Sequence, residues 1–146
     1  MNLTTKGRYA VTAILDLAGN SHGTTPVSLQ DISVRQNISL PYLEQIFSKL
    51  KSFGLVRSVR GAGGGYILAK EIDMISVADI IFAVDESIKM TGCGHEVKKL
   101  CSSTNAKCLT HELWDGLEQQ IENYRASKKI SDILKKTTPE TKHINI

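Results

Sequence analysis

Cysteine is almost missing from this chain: none lies before position 93 or after position 108, and only three occur between. Thiols therefore do not staple the body of the protein, and nothing resembles the disulfide framework of a small exported domain. Long apolar runs are missing as well. Met1 to Asn20 is amphipathic, with Lys6, Arg8 and Asp16 interrupting it, so it reads as neither a secretion signal nor a membrane span. A cytoplasmic protein with no membrane partner is expected. The glycine run Gly61-Ala62-Gly63-Gly64-Gly65 lacks the Lys-Ser/Thr that would follow in a P-loop, and no helix begins there, which also excludes a dinucleotide fingerprint. Strong charge of one sign is lacking too, the net being +3. The charge is uneven, however. Residues 1 to 70 hold eight Lys or Arg against three Asp or Glu, whereas residues 71 to 146 hold ten against twelve. A basic front half points to a polyanion as partner. At 146 residues the chain can bury one core.

What is present is mostly helical periodicity. Ala10, Ala13, Ile14, Leu17 and Ala18 recur on one face from about Thr5 to Asn20, a first helix whose opening turns carry Lys6, Arg8 and Tyr9, suited to phosphate contacts. Ser28-Leu29-Gln30-Asp31 matches a capping box and opens a short second helix with Leu29 and Ile32 inward, stopping near Gln36-Asn37. Ser39 is the expected N-cap of a third helix, with Pro41 in its first turn, Leu40, Leu43, Phe47 and Leu50 as its buried stripe and Gly54 at its end. Tyr42, Glu44, Gln45, Ser48, Lys49, Lys51 and Ser52 share the opposite face. Two such helices joined by a turn form a helix-turn-helix, over about 28–53. Its second member enters the major groove, where Glu44 can accept from a cytosine amino group and Gln45 can pair with adenine. Leu55 to Arg60 alternates apolar and polar, and Tyr66 to Ala69 forms a second short strand. The hairpin, over about 55–70, is a wing whose Gly61 and Gly63 allow close approach to a sugar-phosphate backbone and whose Arg60 suits a minor groove. The fold class is therefore mainly α with a small β-hairpin wing, a winged helix-turn-helix over 1–86 in which Ser76 to Asp79 caps a fourth helix running to about Asp85.

The cysteines define the next region, 87–108. Cys93 is followed after seven residues by Cys101, after six more by Cys108 and after two more by His111, among Gly92, Gly94, Ser102, Ser103 and Asn105. Three thiolates and an imidazole on loop-type sequence can complete the shell of either tetrahedral zinc or an iron–sulfur cluster. The competing reading of a cysteine-histidine enzyme needs a shaped pocket that the pattern does not offer. From about Leu109 to Lys128 a long helix carries Trp114, Leu117, Ile121 and Tyr124 at spacings of three and four, a seam expected to meet a second copy of the chain. A short helix near Ser131 to Lys136 is expected to follow and to belong with that dimerisation region, 109–136, before a disordered tail over 137–146.

Leu3 to Ala10, Ile38 to Gln45, Val59 to Tyr66, Ala83 to Ser87 and Cys108-Leu109-Thr110-His111 together give the chain its likeness: it resembles the iron–sulfur cluster regulators of the IscR group across about residues 1 to 135. That resemblance implies a homodimer on pseudo-palindromic promoter sites in double-stranded DNA. It implies one [2Fe-2S] cluster per monomer on Cys93, Cys101, Cys108 and His111, supplied by an iron–sulfur assembly scaffold. It also implies control of cluster-assembly genes as a repressor and, elsewhere, an activator, with base contacts from Glu44 and Gln45 and a wing contact from Arg60; Lys6, Arg8, Tyr9, Ser39, Tyr42, Gly61 and Gly63 complete the expected DNA-contacting set. The chain departs from that pattern in its longer gaps between cysteines and in Pro41, where relatives often carry a serine.

Overall fold

The computed structural model describes residues 4–21, 24–84 and 109–136. Cys93, Cys101, Cys108, Asp85 and the tail over 137–146 lie outside the described residues. In chain order the elements are α1 (Thr5–Asn20), α2 (Leu29–Gln36), α3 (Leu40–Ser52), β1 (Val56–Val59), β2 (Gly65–Leu68), α4 (Val77–Ala83), α5 (His111–Ser127) and α6 (Ile130–Lys135). The mainly helical fold with one hairpin is the architecture expected from periodicity.

In α1, Ala10, Ala13, Ile14 and Leu17 are fully buried. Leu15 and Asp16 are buried beside them, so the helix is covered on a wider arc than its apolar stripe, because α2, α3, α4 and α6 all meet it. At the start of α2, Ser28 Oγ accepts the Asp31 N–H at 3.1 Å. The returning bond of the expected capping box is not made. Asn37, with φ 53° and ψ 46°, ends the helix in the left-handed region that Asn tolerates.

Ser39 occupies the N-cap position of α3, but contrary to expectation its hydroxyl makes no capping bond. A cap hydroxyl accepts from the second or third helical N–H, and the second residue here is Pro41, which has none. The buried stripe is also corrected. Leu43, Ile46, Phe47 and Leu50 are fully buried while Leu40 is only half-buried, since α3 is gripped by α1 and α2 on one side and by β1 on another. Gly54, at φ 83°, then turns the chain into the hairpin.

β1 and β2 pair antiparallel from Val56 opposite Leu68 to Val59 opposite Gly65. A third strand-like residue joins them: Val27 and Tyr66 exchange backbone hydrogen bonds of 2.9 and 2.8 Å. At Gly65 a Cβ would lie 2.3 Å from the Val27 carbonyl oxygen. This glycine serves the close approach of two backbones within the fold rather than an approach to a ligand.

α4 opens with the full capping box that its sequence predicts, Asp79 N–H to Ser76 Oγ at 3.1 Å and Ser76 N–H to Asp79 Oδ2 at 3.0 Å. Beyond α5 the chain returns to the N-terminal helices. Lys128 O accepts the Val77 N–H at 2.9 Å, Ile75 O accepts the Ile130 N–H at 3.0 Å, and Ile72 O accepts the Ser131 N–H at 3.2 Å. Ile130 is fully buried in the same core as Ile14, Phe47 and Ile80.

Candidate nucleic-acid interface

The helix-turn-helix is fixed from beneath by a buried carboxylate. Asp16, 3% exposed, accepts Arg35 Nη2 at 2.7 Å and Nε at 3.0 Å, and Gln36 Nε2 at 2.7 Å. Asn20 Nδ2 adds a bond of 3.3 Å from the same helix. Buried ionised groups persist only where their lone pairs are filled, and here the donors come from the last turn of α2. The hydrogen bond to Asp16 raises the Arg35 pKa above its ordinary value against the opposing effect of burial, so this cation stays charged. The pair clamps α2 onto α1, and the short turn after Asn37 then sets where α3 stands.

α3 presents Glu44 and Gln45 to solvent. They line a shallow groove with Pro41, Ser48 and Lys49 of the same helix and Lys6 of α1. The structure thus brings Lys6 to the expected base-reading residues, and adds Ser48 and Lys49, whose place one turn further along the same face was already visible in their spacing. Tyr9 and Tyr42 meet edge to face, with ring centroids 5.8 Å apart. Tyr42 is half-buried against the core rather than fully presented, so its ring braces α1 on α3. Arg8 and Ser39 are exposed but are not among the residues that line the groove. The first turn of α1 holds no acidic residue, and cations beside a helix N-terminus are unfavourable until an anion meets them.

At the wing, Arg60, Gly61 and Gly63 are all exposed. Gly61 has φ 104° and Gly63 φ 73°, with no neighbour where a Cβ would stand, so backbone shape and open access both hold at the tip. Lys51 Nζ donates to Ser58 Oγ at 3.0 Å and ties α3 to the root of the wing. Nothing in the local sequence marks that link.

The second group of expected residues lies on α5. His111 is its first residue and is half-buried, next to a fully exposed Leu109. Among the described residues no three His, Cys, Asp or Glu side chains are gathered as a metal site. Along the helix Leu113, Leu117 and Tyr124 are exposed at 62%, 38% and 64%, while Trp114 and Ile121 are half-buried. Arg125 is the single buried residue of α5, its Nη1 3.1 Å from Glu122 Oε2. Exposed large apolar side chains at helical spacing form a surface of the kind that protein–protein interfaces use.

Comparison with known proteins matches residues 3–136 to the family model Rrf2, described as an iron-dependent transcriptional regulator. The chain is 55% identical to the HTH-type transcriptional regulator IscR of Klebsiella pneumoniae, over 85% of this chain and 74% of that one. It is 51% identical to the HTH-type transcriptional regulator IscR of Photorhabdus laumondii, over 92% of this chain and 79% of that one. Among solved structures it is similar to T. potens IscR, with a TM-score of 0.75 and 39% identity, covering 94% of this chain and 89% of that chain.

Proposed function

The chain belongs to the Rrf2 family of transcriptional regulators, and from that premise we propose that it grips promoter DNA as a homodimer and answers to iron–sulfur cluster status, repressing cluster-assembly genes and activating others. The observation that carries the reading is the groove in which α1 and α3 bring Lys6, Glu44, Gln45, Ser48 and Lys49 to one exposed surface beside a glycine-tipped wing. Cations and backbone N–H groups position the duplex through its phosphates, and Glu44 and Gln45 read base edges. Glu44 also rejects. A carboxylate facing a base with no amino group to offer is left desolvated and unpaired, which costs more than a neutral side chain would.

The donor set of Cys93, Cys101, Cys108 and His111 fits a [2Fe-2S] cluster, one per protomer, received from an assembly scaffold. Thiolates suit iron, and a single imidazole makes a less permanent shell than four thiolates. When bound, the cluster supplies a labile inorganic centre whose gain or loss is the signal. The chain's own part is mechanical. His111 opens α5, and just past the far end of α5 the backbone of Lys128 and Ile130 is hydrogen-bonded to Val77 and Ile75 at the start of α4. A restraint placed on one end of a rigid helix is passed to the body that carries α3.

Oxygen-free purification tests this with visible spectroscopy, counts of iron and acid-labile sulfide, and promoter binding with and without the cluster. Coloured protein with iron and sulfide in equal amounts, and a site preference that changes in Cys108→Ala, is expected. Colourless protein carrying zinc or no metal removes the cluster, and failure of both forms to shift promoter fragments removes the DNA reading. Leu117→Lys on α5 should give a folded monomer by sedimentation; an unchanged dimer would place the interface elsewhere.

A further inference from the structure

Behind the wing, on a side to which α3 contributes nothing, the chain walls a half-open cavity of about 740 Å³. That volume lies within the range of roughly 300–1,000 Å³ typical of small-molecule sites. Its apolar wall is Ile67 and Leu68 of β2 with Ile72 and Met74 of the following turn. Met74 is 65% exposed and Ile72 36%, two large apolar side chains of the cavity lining left on the surface. At the rim stand Arg57 and Lys70, neither of which is in an ion pair with any described residue, together with the carboxylate of Glu71. Two cations against one carboxylate leave a single positive charge over an apolar wall.

We propose that this cavity binds a small amphipathic monoanion, an apolar body of several carbons bearing one carboxylate. The carboxylate lies between Arg57 and Lys70, while the body covers Ile72 and Met74. Burying those side chains supplies the apolar share of affinity, and a charge-assisted contact supplies the polar share. The site touches both halves of the regulator. Arg57 sits on β1 next to Ser58, which accepts from Lys51 of α3, and the wall includes Ile72, whose carbonyl accepts from Ser131 just beyond α5. Occupancy therefore stiffens the strap between the wing and the end of α5. The inference is independent of the cluster.

The test is a titration of the full-length isotope-labelled protein with octanoate, 3-phenylpropionate and uncharged octanol, followed by amide chemical shifts. Both carboxylates should move amides at position 57 and over 67–74, and octanol should bind roughly fivefold more weakly or less tightly still. Arg57→Gln with Lys70→Gln should reduce octanoate to the octanol level, with the rest of the spectrum unchanged as proof of folding. The proposal is overturned if neither carboxylate moves those amides, if the shifts are confined to α5, if octanol binds equally well, or if the folded double variant keeps its affinity.

Discussion

α3 and α5 carry apolar residues at the same helical spacing and meet opposite fates. α3 buries Leu43, Ile46, Phe47 and Leu50 completely, whereas α5, four residues longer, buries only Arg125 and leaves Leu113, Leu117 and Tyr124 in solvent. The difference lies in what stands opposite. α3 is wedged among α1, α2, α4 and β1, while among the described elements α5 meets chiefly α4. An amphipathic stripe says that something will cover it, and the tertiary structure says whether the cover comes from the same chain.

Phe47→Ala attacks the comparison at its strongest point. It should cost about 3–5 kcal/mol in urea unfolding, as a large buried ring leaves a cavity. Leu117→Ala should cost less than about 0.5 kcal/mol in dilute protein, as an exposed position does. Equal losses would mean that α5 is covered by its own domain. Asp16→Asn comes next, at roughly 1.5–3 kcal/mol, because the charged hydrogen bonds that hold α2 are lost. The Arg35 pKa is raised in the fold, so its share of that stability is present throughout the range below the ordinary arginine value and disappears only as pH climbs through the raised one. Stability of the wild-type protein should therefore show no loss from this cation on moving from neutral to moderately alkaline pH, which a pH series of urea midpoints reads directly.

The smallest pair of changes separates the two regions by sign. Gly65→Ala sets a methyl 2.3 Å from the Val27 carbonyl and should destabilise by about 1–3 kcal/mol. Gly116→Ala on α5 meets nothing within 4 Å and should stabilise by about 0.5–1 kcal/mol through helix propensity. A destabilising Gly116→Ala in dilute protein would show that this face of α5 is already occupied.

Much of the fold was legible because its cues are local. The Ser76 and Asp79 box, the left-handed stop at Asn37, the turn at Gly54 and the hairpin all depend on residues within a few positions of one another. Ser39 misled because its hydroxyl was read apart from Pro41, which removes one of the two donors it could have used. Asp16 was read as a charge that breaks an apolar run, and its partners on α2 lie 19 and 20 residues away, beyond the reach of any helical or strand period. Gly65 was read only as the end of a glycine run, although its neighbour is Val27. That Glu44 and Gln45 share the exposed face of α3 was legible from helical spacing, whereas the nearness of Lys6 to them follows from how α1 crosses α3.

The order and ends of the helices, the hairpin, the basic front half and the confinement of cysteine to one stretch were settled by the chain itself, because propensity, capping and charge act between near neighbours. Tertiary structure alone decided that Asp16 clamps α2, that Val27 joins the wing, that Ile130 enters the first core and that the stripe on α5 stays open. Each of those depends on burial, and burial is a property of surfaces brought together from distant parts of the chain.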